Sequence, residues 1–522
     1  MEEREILKVA ETDVVQDQLK KKGIANSKVI SQIKRFIEGF PFMELSRVCT
    51  IGDGIHMFGQ RRKDELIKRY LNLHTGIRTV KFVPASGAAS RMFRDLVSEY
   101  NLLKQNKKAD LKKLPATLEL VKNLEKFAFS QILEKNLKEQ GHDIGELVSD
   151  RDYLPILSTL LDENRMNYSN IPKGLVQFHR YGSRSRTAFE EHLVEAISYL
   201  FADDGSVSVH FTVPEQFIKE IKNVVDRNKE KYETEKIKIT AGYSVQKEST
   251  DTIAVDKDNY PVVDNEGKLV FRPGGHGALL ENLNEMEADI VFIKNIDNIL
   301  VEKYLDTVSR YKMMLGGFLL EIQQKVFNFI RRLEDQNHDE DLFSDIKKFL
   351  KHYLFTDMDQ LLKDKTGEEK VSFFYNFLNR PIRVCGVVKN EGEPGGGPFW
   401  VKGDNGFETP QIVESAQVNM DDQKQLSIWE SSTHFNPVDI VCGIKDHKGN
   451  KFDLMSFVDT KAGIITNKSL EGSEIKALEL PGLWNGSMSD WITLFTEVPV
   501  KTFSPVKTVF DLLREEHQGE TG

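Results

Sequence analysis

Apolar residues recur at helical spacing early in the chain: Ile30, Ile33, Phe36 and Ile37 predict a helix through 27–37. The pattern then changes. Residues 78–85 are β-prone and end at a glycine turn, with a helix expected to start near Ser90. From about 94 to 165 the spacing is helical and rich in Lys, Glu and Leu. From 171 onward strand and helix patterns alternate: a strand at 207–213, a helix at 215–228, and strands at 237–241 and 289–295. That alternation predicts a mostly parallel α/β sheet. A second helical block covers 301–380, β structure restarts at Pro381, and a short helix is expected over 508–515. No repeat or low-complexity stretch interrupts the order.

These patterns divide the chain as follows. Residues 1–75 form an N-terminal helical region. Residues 76–93 and 166–300 form an α/β core, with 94–165 as a helical insertion. Residues 301–380 are a second helical insertion, and 381–522 supply the other half of the core and a C-terminal segment. At 522 residues the chain exceeds what one small core requires.

Composition narrows the function classes. Hydrophobic residues make up 39% and charged residues 29%, as in a globular protein. A net charge of −10 argues against nonspecific nucleic-acid binding, which needs a basic face. Cys49, Cys385 and Cys442 have no metal-ligand spacing and allow at most one disulfide, which favours a reducing compartment. Residues 1–10 are charged and lack a signal core, and no apolar run is long enough to span a membrane. The expectation is a cytoplasmic protein with no membrane and no nucleic-acid partner; the oligomeric state is left open.

Four stretches carry candidate chemistry. In Ala85-Ser86-Gly87-Ala88-Ala89-Ser90-Arg91-Met92, small residues between strand and helix let the backbone approach a phosphate, and Arg91 adds charge-assisted hydrogen bonds. An ordinary tight turn is the plainer explanation. Pro172-Lys173 follows the helical insertion, where Lys173 is either a phosphate counter-charge or a loop lysine. Pro273-Gly274-Gly275-His276-Gly277 makes a poor core element and a good backbone clamp. Asp297 follows the strand predicted at 289–295, at the end where α/β sheets bind ligands; it can ligate Mg²⁺ or simply start a turn.

Together these stretches resemble the nucleotide-diphospho-sugar transferases, and the UDP-sugar pyrophosphorylases in particular. Gly87, Ser90, Arg91 and Met92 match the family's Ala-Gly-x-Gly-Thr-Arg-Met signature, with Ala89 in place of its second glycine. Pro172-Lys173 looks like the family's Pro-Lys pair displaced by the insertion. The ending Val498-Pro499, Phe503, Pro505-Val506-Lys507 and Asp511-Leu512-Leu513 is similar to the UDP-glucose pyrophosphorylase C-terminus, with Lys501 where the family has Arg. As a whole the chain looks most like an uncharacterised Bacteroidetes family within this superfamily.

The resemblance implies a Rossmann-like, GT-A-like nucleotidyltransferase core that joins a nucleoside triphosphate (UTP by analogy) to a sugar 1-phosphate. Arg91, Lys173 and Lys507 would be catalytic. Ala85, Ser86, Gly87, Ala88, Ser90 and Gly274, Gly275, His276 and Gly277 would bind nucleotide. Glu414, Asn436 and Glu479 would face the sugar, and Asp297 would hold Mg²⁺. The alternatives are a glycosyltransferase consuming a nucleotide sugar, and a non-catalytic nucleotide-binding protein, which Ala89 favours.

Overall fold

The computed structural model describes residues 11–73, 76–106, 110–200, 204–335, 340–392, 395–403, 406–470 and 472–519. The charged segment 1–10 lies outside them. The chain forms two compact units. One comprises residues 1–73, 246–292 and 314–498, and the other 74–245, 293–313 and 499–522.

In the first unit, Thr50–Ile51, Gly54–His56, Ile492–Glu497 and Ile382–Lys389 pair in parallel, and His434–Gly443 adds antiparallel to Ile382–Lys389. The buried run from Ile382 to Val388 is apolar on both faces apart from Arg383, as a covered parallel strand requires. Two smaller antiparallel sheets are interleaved with this set in sequence. Leu45–Val48 pairs Gly397–Lys402, which pairs Glu408–Val413. Thr252–Val255 pairs Phe271–Arg272 and Ser473–Glu479, which pairs Ile464–Leu470.

The helix expected near residue 30 is Asn26–Glu38. Its phase differs from the predicted one. Val29, Ile33 and Phe36 are buried, packing with Ile253, Val255 and Leu478, whereas Ile37 is 47% exposed. Gln32 is also buried there, because its side-chain oxygen accepts from Ile253 N–H at 2.9 Å. The sheet at 252–255 thus selects the buried face, and it takes Val29 rather than Ile37. The short strands between Leu45 and His56 interrupt the region expected to be helical.

The second unit is built on three parallel strands, Thr79–Pro84, Ser206–Thr212 and Lys238–Ser244, in that order. Ala188–Leu200 precedes the middle strand and Ile218–Tyr232 connects it to the third, giving the βαβ logic that parallel pairing needs. Residues 94–161 carry only helices among the described elements, from Arg94–Gln105 to Leu154–Leu161. The 508–515 segment is a short 3₁₀ turn, Val509–Leu513, opened by a Thr508/Asp511 capping box. The molecule is therefore α/β with mostly parallel mixed strands, helical insertions and a β-rich C-terminal part. No helix among the described residues is long and apolar enough to cross a membrane.

Candidate functional site

The strand Thr79–Pro84 delivers the glycine turn to the edge of the second unit's sheet. Ala85 N–H donates to Thr212 O at 2.9 Å, and Pro84 O accepts from Ile296 N–H at 3.3 Å. Beyond Ala85 the turn opens to solvent. Ser86, Gly87, Ala88 and Ser90 are exposed while Ala89 is buried. A side chain built at Gly87 would meet nothing within 4 Å, so the glycine answers no packing demand of its own unit.

The insertion does not separate the glycine turn from the Pro172-Lys173 segment. Ala89 N–H donates to Ile171 O at 2.9 Å and Lys173 N–H donates to Gly87 O at 3.1 Å. These bonds clip the Pro172-Lys173 segment alongside the turn. The α-helix starts later than expected, at Arg94; only a single 3₁₀ turn, Ala89–Arg91, lies at Ser90. Met92 O, just before that helix, accepts from Val509 N–H at 3.0 Å. The free donors here are therefore turn amides rather than an α-helix N-terminus. Arg91 is exposed on this turn.

Three side chains from distant sequence converge beside it. Lys173 Nζ donates to Asp297 Oδ2 at 3.0 Å and to Val506 O at 2.8 Å. Lys507 Nζ lies 3.5 Å from the same carboxylate oxygen. The Lys173 and Asp297 side chains are nearly buried, and that of Lys507 is 55% exposed. Backbone pairing holds the group in place. Val506 N–H donates to Asp297 O at 3.0 Å, Asn298 and Pro505 form a bridge, and Asn298 Oδ1 accepts from Ser504 N–H at 3.2 Å. Asp511 Oδ2 accepts from the Lys507 and Thr508 amides, fixing where the Lys507 side chain departs.

Burial alone would raise the Asp297 carboxyl. The charge of Lys173, and then of Lys507, outweighs it and holds the group below the usual aspartate range. With one carboxylate and two ammonium groups the cluster carries net positive charge. Unpaired turn amides and a cationic cluster suit a polyanion. Among the described residues no three His, Cys, Asp or Glu side chains gather as a metal cage. A single hard oxygen donor still fits Mg²⁺, which commonly takes one or two carboxylates and fills its other positions from phosphate and water.

The remaining predicted residues belong to the first unit. His276 stacks on Trp484, with centroids 4.2 Å apart and planes 10° from parallel, and its Nδ1 accepts from Leu483 N–H at 2.9 Å. Burial lowers its pKa, opposed by the charges of Glu414 and Glu479. Gly274 O accepts from Leu480 N–H at 2.9 Å, and a side chain at Gly277 would strike Pro481 O at 2.1 Å. Here the glycines serve close backbone packing on the 478–484 segment. Gly275 takes φ +74° and lies over Glu479, which also meets Lys468 at 3.4 Å. Glu414 caps the turn Ser415–Gln417. Asn436 is buried; its amide donates to Gly386 O and accepts from Val438 N–H.

Sequence reading passed over the Val506 carbonyl, which a residue-type search cannot flag. It also passed over a buried ionic group under the second unit's sheet. Glu195 accepts from Lys81 Nζ at 3.0 Å and from Lys294 Nζ at 2.6 Å, and Lys312 is buried as well. A lysine inside each of two apolar strands, 79–84 and 290–294, was the available signal.

The second unit thus defines an α/β protein with a cationic side-chain cluster beside an open strand-end turn. By its sequence the chain belongs to the family described as Domain of unknown function (DUF4301), whose model matches residues 12–518. No curated protein matches it. Among solved structures it is similar to the UDP-N-acetylglucosamine pyrophosphorylase of Trypanosoma brucei, with 11% identity, 98% of this chain and 78% of that one covered, and a TM-score of 0.47. The UDP-glucose phosphorylase of Trypanosoma brucei gives 11% identity, coverage of 96% and 79%, and a TM-score of 0.44. The UDP-glucose pyrophosphorylase of Leishmania major gives 12%, 96% and 78%, and 0.42. At this level of identity and overlap, neither activity nor substrate passes to this chain.

Proposed function

We propose that the protein is a sugar-phosphate nucleotidyltransferase. A nucleoside triphosphate and a sugar 1-phosphate would give a nucleotide sugar and pyrophosphate. One observation carries this reading: Lys173 and Lys507, far apart in sequence, meet on one oxygen of Asp297 beside the open turn at 85–90.

In such a reaction a sugar phosphate oxygen attacks the α-phosphorus in line, the bond to the bridging oxygen breaks, and pyrophosphate leaves. The attacking phosphate is already ionised, so no general base is required, and the protein positions and neutralises. The amides of Ser86, Gly87 and Ala88 would donate to phosphate oxygens, with Arg91 adding a planar donor fork. Lys507, the more exposed lysine, would swing onto the triphosphate. Lys173 would keep Asp297 ionised and offset charge on the α-phosphate. Asp297 is the residue that would hold Mg²⁺, which when bound supplies Lewis-acid polarisation of the phosphates. Uridine is the proposed base.

A pyrophosphate-release assay across the common nucleoside triphosphates and sugar 1-phosphates, with and without Mg²⁺, tests the reading. Mg²⁺-dependent release for one pair supports it. Release of nucleoside diphosphate from a nucleotide sugar would point to a glycosyltransferase. Triphosphate binding without turnover would point to a binding protein.

A further inference from the structure

Behind the Lys507 segment, four buried polar side chains stand in series. Glu191 Oε1 lies 2.9 Å from His179 Nδ1, His179 Nε2 lies 2.9 Å from His517 Nδ1, and His517 Nε2 lies 3.0 Å from Ser504 Oγ. Each of the four is at most 3% exposed. They come from the strand Gln177–Tyr181, the helix Ala188–Leu200 and the C-terminal segment, all in the second unit.

Donors and acceptors must alternate along such a chain. An ionised Glu191 can only accept, so His179 Nδ1 carries a proton. With both rings neutral, His179 Nε2 accepts from His517 Nδ1–H, and His517 Nε2 accepts from Ser504 Oγ–H. One direction of bonding then runs from the serine hydroxyl to the carboxylate. The carboxylate end is itself anchored. Glu191 Oε1 accepts from Tyr181 OH at 2.8 Å, and Oε2 lies 3.4 Å from Arg186, which pairs with Glu302 at 2.9 Å. Burial, then the neighbouring His179, hold the His517 pKa well below its ordinary value, and Arg514 adds in the same direction. Ser504 is too enclosed to serve as a nucleophile, and no cavity among those described includes it.

The far end of the series reaches the phosphate-type site. Ser504 N–H donates to Asn298 Oδ1, next to Asp297, and Ser504 begins the stretch whose Val506 carbonyl accepts from Lys173. The C-terminal segment is secured independently, because Val301 N–H donates to Glu516 O at 3.0 Å and Gln518 reaches Lys126 O at 3.3 Å.

We infer that Glu191, His179, His517 and Ser504 form a positioning relay that sets the Ser504–Lys507 stretch against Asp297. The four do not touch substrate. They fix the placement of the Val506 carbonyl and the Lys507 side chain. The functional weight of that placement rests on the nucleotidyltransferase reading above; the mechanical part does not.

Hydrogen exchange followed by mass spectrometry on the full chain reads the mechanical part without any ligand. His517→Leu and the milder Ser504→Ala should each speed exchange in the peptide over 503–508 at least about tenfold, while the peptide over 206–212 stays as in the wild type. His517→Gln, which keeps an acceptor for Ser504, should fall between. Unchanged exchange over 503–508 in Ser504→Ala would overturn the relay. Inorganic tripolyphosphate with Mg²⁺ is the probe for the second part. Its Kd should rise about tenfold in Ser504→Ala, as loss of one positioned contact implies, and should change little when Ser504→Ala is added to Lys507→Ala. Faster exchange with an unchanged Kd would refute positioning of the site. Faster exchange in a protein that never binds tripolyphosphate would leave the relay standing and remove the phosphate reading.

Discussion

Lys173 Nζ lies 3.0 Å from Asp297 Oδ2 although the two residues are 124 positions apart. Lys507 reaches the same oxygen from a further 210 positions away. The two lysines differ in burial, with side chains 13% and 55% exposed, and that difference predicts different costs of removing them.

Lys173→Met removes the nearer partner of a buried carboxylate. We expect a loss of about 2–4 kcal/mol in urea unfolding, because Lys507 compensates only in part. Lys507→Ala, at an exposed position, should change unfolding by less than about 1 kcal/mol. A stability loss in Lys507→Ala equal to that in Lys173→Met would contradict the assignment of roles.

The lowered Asp297 pKa sets a pH signature. Its unfolded form binds the proton more readily than its folded form, so its contribution is complete above the ordinary aspartate value of about 4. It drains away as pH falls through the folded value. Urea midpoints measured from pH 5 down to pH 2 should fall less steeply in Asp297→Asn than in wild type. Parallel curves would show that Asp297 is not held by the two lysines in solution.

Lys81 gives the opposite end of the scale. Burial, opposed by Glu195, lowers its pKa from 10.5 to about 7. The unfolded chain therefore binds more protons between these values, and this group adds stability as pH rises from 7 toward 10. Lys81→Met should flatten that rise relative to wild type. Glu195→Gln, which leaves buried lysines without their counter-charge, should cost about 3–5 kcal/mol at pH 7.

Two glycines should respond differently. Gly87→Ala meets open space, so its melting temperature should stay unchanged while triphosphate binding weakens. Gly277→Ala drives a methyl group into Pro481 O and should destabilise the fold. Equal melting of both variants would show that the 274–277 loop is not packed as described.

Much of the second unit was legible along the chain. The strand at 79–84, the Pro172-Lys173 pair, Asp297 after its strand and the Pro505-Val506-Lys507 ending all stand in local patterns. Their meeting was inferred from resemblance; the bonds that achieve it, Lys173 N–H to Gly87 O and Lys173 Nζ to Val506 O, end on backbone carbonyls that carry no sequence signal. The helix starts at Arg94 rather than near Ser90, and the Met92 carbonyl before it accepts from Val509 N–H, more than four hundred residues away. The buried face of Asn26–Glu38 was misphased because amphipathic spacing fixes a stripe only to within one residue until a partner sheet is present. His179 and His517 were missed since two isolated histidines acquire meaning only through their pairing with Glu191 and Ser504.

The most direct measurement is the rate of pyrophosphate formation by wild type and Lys507→Ala, each with its melting curve, using the triphosphate and sugar 1-phosphate selected by the panel. Wild type should form pyrophosphate only with Mg²⁺, and Lys507→Ala should be about 30- to 1,000-fold slower at an unchanged melting temperature. A Lys507→Ala protein as fast as wild type, or a wild type that binds triphosphate and never releases pyrophosphate, would contradict the account.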